Sequence, residues 1–562
     1  MAESRTGVEG DRAAAANTPH HVRGERSAHV DGFAHDNLPP RELWPAMSYT
    51  ALPELAYPGR LNCAVELLDR VVERGDGDRT VFVAPGGRWS YRELQTTVNR
   101  MARVLTDQLG LVPGNRVLLR GPNNPTMAAC WFAVLKAGGV VVCTMPLLRQ
   151  RELSYIAQKA QVRLALCDHR LTADLEAASR ATPVLERVVS FGSEGAELES
   201  LMRDTRAQFD AIDTAADDVA IIAFTSGTTG QAKGTMHFHR DILAICDCFP
   251  RSILRASPDD LFCGSPPFAF TFGLGGILLF PMRIGASTLL LEQAAPPQLI
   301  KGIEHYRATV CFTAPTAYRA MTPLVKDCDI TSLRKCVSAG ETLPAATFEA
   351  WYEATGIKII DGIGSTEMLH IFISAREDEI RAGSTGRAVP GYEAKLVDED
   401  GDDVPVGEIG RLAVRGPTGC RYLADPDRQR GYVQKGWNLT GDSYRMDEDG
   451  YFWYQARSDD MIISSGYNLS GPEVENVLLE HPCVQECGVV GVPDPERGQI
   501  VKAYIVLRAG FEGSAATIKE LQEFVKAELA PYKYPRSIEF VEALPRTETG
   551  KLQRFRLRER AP

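Results

Sequence analysis

The chain has 562 residues, of which 44% are hydrophobic and 24% charged, with a formal net charge of −11 and a pI near 5.6. That length exceeds one ordinary domain and allows large buried cores. An acidic chain without a basic stripe excludes a nucleic-acid footprint, and no apolar run approaches the ~20 residues of a bilayer span.

Residues 1–30 are rich in Ala, Arg, Glu and Gly, the composition of a disordered tail. They lack the apolar core of a signal peptide. From about Leu61 to Gly450, apolar β-rich runs alternate with helical patterns. Val81–Val83, Arg116–Leu119, Val140–Val142 and Ala220–Phe224 read as buried strands of an α/β architecture. The most apolar stretch, Gly276 to Leu291, is interrupted by Arg283. Near 454–460 the pattern shifts and a smaller α+β unit follows. Met461–Ile463 reads as a strand. Ser470 opens a helix, with Glu473 completing a capping box and Pro472 tolerated in its first turn. Cys487–Val492 and Val501–Leu507 read as strands. A second helix over about Thr517–Leu529 carries Ile518, Leu521, Phe524, Val525 and Leu529 on one face, with Thr517 and Glu520 as its capping box. The expected division is 1–30 tail, 31–458 large domain and 459–562 small domain. Thirteen scattered cysteines form no CxxC pair, and neither Cys246/Cys248 nor Cys483/Cys487 has a His cluster to complete a zinc site. Reduced thiols in a cytoplasmic protein are expected.

Residues 224–234 read Phe-Thr-Ser-Gly-Thr-Thr-Gly-Gln-Ala-Lys-Gly. A buried strand ends in Gly and hydroxyl residues with one lysine. Backbone N–H groups of such a loop can turn inward around an anion, with hydroxyls adding donors. A Walker A loop needs Gly before its Lys and Ser or Thr after it; here Ala232 and Gly234 flank Lys233, so that class does not fit.

The string Thr225-Ser226-Gly227-Thr228-Thr229-Gly230-x-x-Lys233-Gly234 resembles the signature loop of the adenylate-forming enzymes: acyl- and aryl-CoA ligases, peptide-synthetase adenylation domains and luciferases. Gly364-Ser365-Thr366-Glu367 resembles their GxTE motif and Thr440-Gly441-Asp442 their TGD motif. Arg457-Ser458-Asp459-Asp460 with Ser465-Gly466-Tyr467-Asn468 resembles the hinge and the segment after it. Pro545 to Lys551 resembles the C-terminal catalytic-lysine motif. The resemblance spans roughly residues 50–558. Gly364 to Phe372 resembles the benzoate-CoA ligase branch; Asp36 to Pro45 and Met236 to Asp241 resemble its 2-aminobenzoate-CoA ligases. Three positions depart from the pattern: Ala232 for Pro, Ala456 for Gly, and Ile363 for a Tyr that packs on adenine.

The resemblance implies a large N-terminal adenylate-forming domain of layered sheets and helices with a small mobile C-terminal domain. It also implies ATP, Mg²⁺ and CoA. A carboxylate attacks the α-phosphate of ATP, giving a mixed anhydride and pyrophosphate, so charge must be neutralised by positioned groups. By resemblance, Thr225 to Gly230 with Lys233 hold the β- and γ-phosphates. Glu367 holds Mg²⁺, which commonly takes one or two carboxylates plus phosphate oxygens. Thr366 donates to the α-phosphate. Asp442, supported by Arg457, accepts from the ribose. Glu341, Asp361, Gly362 and Ile363 join the ATP site. Lys551 bridges the attacking carboxylate and the α-phosphate.

For the second half-reaction, family likeness implies rotation of the small domain about Asp459, withdrawing Lys551 and bringing Gly466 and Tyr467 to the pantetheine tunnel. Phe270, Thr271, Phe272, Ala339, Gly340, Gly364, His370 and Ile371 fall where the family lines its acyl site, and suit a flat ring. His370 is open to two readings: orienting the substrate carboxylate or an ortho substituent, or a satisfied core histidine. His237 and His239 read as structural. The leading expectation is an aryl-CoA ligase, with 2-aminobenzoate first and benzoate or salicylate next. The alternative is the same adenylation with delivery to the phosphopantetheine arm of an acyl carrier protein. The expected assembly is a monomer or homodimer, with no membrane or nucleic-acid partner.

Overall fold

The computed structural model describes residues 26–225, 232–457, 460–464, 467–494, 497–529, 533–546 and 551–560. A large N-terminal domain holds three sheets. The first runs in the order Arg187–Phe191, Leu164–Asp168, Arg116–Arg120, Val140–Thr144, Val219–Thr225, Lys233–Phe238. Its first five strands are parallel and the last is antiparallel. Their continuous aliphatic runs follow from burial on both faces. Alternation along each strand feeds two cores: Val117, Leu119 and Val141 pack into one, and Leu118, Val140 and Val142 into the other.

The second sheet has nine strands: Arg387–Ala388, Ile371–Ser374, Ile359–Gly364, Lys335–Ala339, Val310–Thr313, Leu261–Gly264, Ser287–Leu289, Thr80–Ala84 and Gly87–Ser90. Its six central strands, from Ile359–Gly364 to Thr80–Ala84, are parallel. The third sheet is antiparallel and contains Ile409–Arg415, Trp437–Met446 and Phe452–Arg457. The apolar stretch around Arg283 folds as buried helix and a central strand, and its guanidinium pairs with Asp247 at 2.9 Å. Among the described residues no helix is long and apolar enough to cross a membrane. None of the thirteen cysteines is in a disulfide.

Residues 26–30, at the end of the segment read as a disordered tail, are instead ordered against the large domain, as is Asp31 after them. The Ser27 hydroxyl and the Ala28 N–H donate to Asp218, and Asp31 pairs with Arg116 at 2.6 Å.

The small C-terminal domain has the strands Val484–Asp494, Gly498–Leu507 and Ser537–Phe540, with helices Gly471–Glu480 and Ala515–Glu528 packed against them. Ser470 caps the first helix, accepting from the Glu473 N–H at 3.2 Å. The Glu473 carboxylate does not close a capping box, because Lys533 draws it away at 2.7 Å. The second helix is capped by Ser514, three residues before the expected Thr517: Ser514 Oγ accepts from the Thr517 N–H. Thr517 Oγ1 is instead spent on the Glu512 carbonyl. The strand expected at Met461–Ile463 is Ile462–Ser464.

Candidate active site

Residues 226–231 connect two antiparallel strands, with Thr225 opposite Lys233 in register. This strand–loop–strand frame differs from the strand–loop–helix of a Walker A site. Ser226, Gly227, Thr228, Thr229 and Gly230 lie outside the described residues. Their stems are held: the Tyr155 hydroxyl donates to the Ala232 carbonyl at 3.1 Å, and Lys233 Nζ lies 5.9 Å from the Tyr422 ring centroid.

The other edge of strand Lys233–Phe238 pairs with residues 421–423. Met236 N–H donates to Arg421 O, and Leu423 N–H to Gly234 O, both at 2.8 Å. This pairing delivers two side chains. Arg421, fully buried, donates to Asp241 Oδ2 at 2.9 Å. Burial pushes the Asp241 carboxyl up, but Arg421 and His237 together more than offset it and hold it at about 2. The Tyr422 hydroxyl donates to Glu367 Oε1 at 2.7 Å. His237, also fully buried, places Nε2 2.7 Å from the Thr366 carbonyl. Strand Lys233–Phe238 and its neighbour thus grip Thr366 and Glu367 in turn.

Thr366 and Glu367 sit in the turn between strands Ile359–Gly364 and Ile371–Ser374. Leu369 N–H donates to the Thr366 carbonyl at 3.1 Å, and Leu369 has φ +71°. Gly364 is required here, since a Cβ would stand 2.7 Å from the His370 backbone carbonyl. Gly362 lies against Ile371, and a Cβ there would meet Ile371 Cγ2 at 2.7 Å. Ile363 is half-buried. Ser338 Oγ donates to Asp361 Oδ1 at 2.6 Å, across a pair of strands that set the two residues opposite each other. Burial nevertheless pushes the Asp361 carboxyl up to about 7.

Across the cleft, Asp442 and Arg457 are antiparallel partners, and Arg457 Nη1 donates to Asp442 Oδ1 at 3.2 Å. Burial raises the Asp442 carboxyl while Arg457 and Lys551 oppose the rise. Lys551 comes from the C-terminal domain. A Cβ on Gly340, whose φ of +90° favours glycine, would lie 3.8 Å from Lys551 Cε. Lys551 keeps access to water, yet protein encloses enough of it that burial lowers its ammonium pKa, against the pull of Asp442, Glu341 and Glu367. Glu341 is likewise raised by burial and stabilised in part by Arg546 and Lys551. Residues separated by two hundred positions thus converge: Glu341, Glu367, Asp442 and Lys551 share one field. Glu486 joins the domains here, 2.9 Å from Arg319 of the large domain and 2.9 Å from Arg546 of its own.

Phe270 precedes and Thr271 opens the short helix Thr271–Leu274 that carries Phe272. His370 Nε2 lies 3.4 Å from the Phe272 carbonyl, and its ring sits among Phe249, Phe272 and Phe280, with centroids 5.9, 5.7 and 4.5 Å away. Burial lowers its pKa to about 3, so the imidazole is neutral. Its Nδ1 has no hydrogen-bond partner among the described atoms. Gly275 makes room for this ring, since a Cβ would meet His370 Cδ2 at 2.3 Å. Ala339 is buried at the end of its strand, next to Gly340.

Asp459 and Gly466 lie outside the described residues; Tyr467 begins the strand Tyr467–Leu469. Among the described residues no cluster of three or more His, Cys, Asp or Glu could hold a metal. A lone buried carboxylate, Glu367, suits Mg²⁺, which takes its other ligands from phosphate and water. Sequence reasoning missed Tyr422 and the Arg421–Asp241 pair, whose roles arise only from strand pairing across more than 180 residues.

The chain matches the AMP-binding enzyme family over residues 68–422 and the AMP-binding enzyme C-terminal domain over residues 473–551. It is 36% identical over 513 residues to a benzoate–CoA ligase of Thauera aromatica, covering 90% of this chain and 97% of that one. Among solved structures, it is similar to the anthranilate CoA ligase AuaEII in complex with anthranoyl-AMP. That match has 36% identity and a TM-score of 0.86, covering 91% of this chain and 99% of the other. A benzoate CoA ligase from Burkholderia xenovorans LB400 matches at 33% identity and TM-score 0.81, covering 89% and 100%.

Proposed function

This chain belongs to the AMP-binding enzyme family, the adenylate-forming acyl- and aryl-CoA ligases, and from that premise we propose that it joins 2-aminobenzoate to CoA. The substrate carboxylate attacks the α-phosphorus of ATP, and pyrophosphate leaves. The CoA thiolate then attacks the acyl carbon of the aryl-adenylate, and AMP leaves. The products are aryl-CoA, AMP and pyrophosphate.

The observation that carries this reading is the entry of Lys551 into a cleft that also presents Glu341, Glu367 and Asp442. In that position its ammonium neutralises the two anions that must meet, the carboxylate and the α-phosphate. Thr366 donates to the α-phosphate. Asp442, braced by Arg457, accepts from the ribose hydroxyls. Thr225 and Lys233, at the stems of the 226–231 loop, hold the phosphate tail. Glu367 would hold Mg²⁺, with one oxygen already engaged by Tyr422; bound there, the ion neutralises phosphate charge. Asp361, Gly362 and Ile363 form the adenine side.

The aromatic ring is assigned to the wall made by Phe270, Phe272, Gly364, His370 and Ile371. The likeness to a ligase bound to anthranoyl-AMP supports the 2-amino ring, and so does the unpaired Nδ1 of His370, which an ortho amino group could satisfy. Residues 31–458 and 459–562 are assigned to the two domains, with Asp459 as hinge and Gly466 and Tyr467 on the CoA side. A cytoplasmic location and a monomer or homodimer complete the reading.

A screen of pyrophosphate release over benzoate, 2-aminobenzoate, salicylate and aliphatic acids, with and without CoA, tests it. The expected order places 2-aminobenzoate first, with thioester formed only when CoA is present. Preference for a medium-chain aliphatic acid would sink the aromatic assignment. Adenylation without transfer to CoA would move the acceptor to a carrier-protein arm.

A further inference from the structure

We propose that His237 is a positioning residue for adenylate formation: its Nε2–H holds the Thr366 carbonyl and thereby sets the Thr366–Glu367 peptide against the nucleotide. The proposal rests on the adenylation reading above. The backbone of strand Lys233–Phe238 is already paired on both edges, with Val219–Thr225 and with residues 421–423. A fully buried imidazole is therefore not needed to hold the strand, and burying a polar ring is unfavourable unless it is hydrogen-bonded.

Three observations converge on the turn it touches. His237 Nε2 lies 2.7 Å from Thr366 O. The same carbonyl accepts the Leu369 N–H at 3.1 Å. Leu369 is fully buried with φ +71°, a left-handed conformation that a residue with a Cβ adopts only under strain. Such a turn persists where its surroundings over-determine it. The Thr366 carbonyl is the anchor that both bonds share.

Behind the imidazole stands a clamped carboxylate, in packing contact rather than hydrogen-bonded to it. His237 Nδ1 lies 3.8 Å from Asp241 Oδ2, and that oxygen accepts from Arg421 Nη1 and from the Phe238 N–H. The ring is wedged between a clamped carboxylate and the turn. The carbonyl it holds belongs to the peptide plane that continues into the nitrogen of Glu367. Fixing that plane limits ψ of Thr366 and φ of Glu367 together, so one donor orients both side chains assigned to the phosphate and the metal.

Two substitutions in the full-length protein separate this role from simple packing. His237→Leu keeps the volume and removes the donor. His237→Gln returns an amide N–H near the place of Nε2. The Leu variant is expected to release pyrophosphate roughly 10²-fold more slowly, the loss that follows a displacement of about 1 Å at reacting groups. The Gln variant should recover most of the rate. Both should form thioester from supplied aryl-adenylate and CoA as the wild type does. A wild type that releases no pyrophosphate overturns the adenylation reading and this proposal together. An active wild type overturns this proposal alone if the Leu variant keeps its rate, if Gln falls as far as Leu, or if both half-reactions drop equally. Should the Leu variant not fold, His237→Asn against His237→Gln decides. The shorter amide cannot span the gap, and equal rates in that pair would end the proposal.

Discussion

On one side of the cleft, Thr366 and Glu367 are held by groups that water does not reach. Arg421, Asp241 and His237 are all fully buried, and Tyr422 is nearly so. On the other side, Lys551 arrives with the C-terminal domain through ion pairs that stay wet. Arg319 and Glu486, paired across the domains, keep 32 and 24% of their side-chain surface exposed, and Arg546, paired with Glu341 across the same boundary, keeps 28%. Breaking one member of a buried pair strands a charge, whereas exposed pairs are individually weak. The stationary wall is thus built from contacts that are hard to break. The wall that carries Lys551 is built from contacts that are easily exchanged for water, as the proposed withdrawal between half-reactions requires.

The sharpest way to break this contrast is Asp241→Ala. It leaves Arg421 buried without its carboxylate, and stability should fall by about 3–5 kcal/mol, read by denaturant unfolding. A loss below about 1 kcal/mol would mean the wall is not held as described. Next comes Lys551→Ala. Pyrophosphate release should fall roughly 10²-fold or more, while thioester formation from supplied aryl-adenylate stays close to wild type. Equal losses in both steps would remove Lys551 from its assigned role.

A smaller effect is expected for Glu486→Gln, which loosens the contact with both arginines. Adenylation should slow by about 2- to 5-fold, in line with exposed ion pairs, and raised salt should reproduce the loss in the wild type. A variant as slow as Lys551→Ala would show that the mobile wall is held as tightly as the fixed one. The smallest expected effect concerns Asp361. Its carboxyl, pushed up by burial to about 7 from an ordinary 3.8, takes up a proton on folding. Its stabilising share is complete below about pH 4 and is lost as pH rises through about 7. In nucleotide-free protein, Asp361→Asn should flatten the fall in Tm over that window. Parallel curves for variant and wild type would show an ionised carboxyl in the folded state.

The aliphatic strands were legible because double-sided burial writes itself as continuous Val, Leu and Ile. The ordered Gly, Thr, Glu, Asp and Lys motifs marked the cleft because their chemistry is local. What escaped was the work of long-range pairing. Nothing near Tyr422 in the sequence says that its hydroxyl meets Glu367; only the alignment of residues 421–423 beside Lys233–Phe238 does. The partner of His237 is equally silent in the sequence, since it is a carbonyl 129 positions away. The expected capping boxes failed through competition. Ser514 and Thr517 were both suitable, and the Glu512 carbonyl took the threonine hydroxyl. At Ser470 the cap was right, but Lys533 outbid the backbone for Glu473.

The alignment of residues 421–423 carries a consequence for rebuilding the molecule. Arg421 and Tyr422 are neighbours that serve opposite sides of their extended segment, one reaching Asp241 and the other Glu367. Side chains alternate with a period of two, so deleting a single residue just upstream would exchange their faces. Grafts exchanged between relatives can therefore vary the aromatic side chains at 270 and 272, provided Gly273, Gly275 and Gly276 stay glycine, since a Cβ at each would meet a neighbour at 2.4 Å or less. The stretch from Arg415 to Tyr422 must be transplanted at constant length.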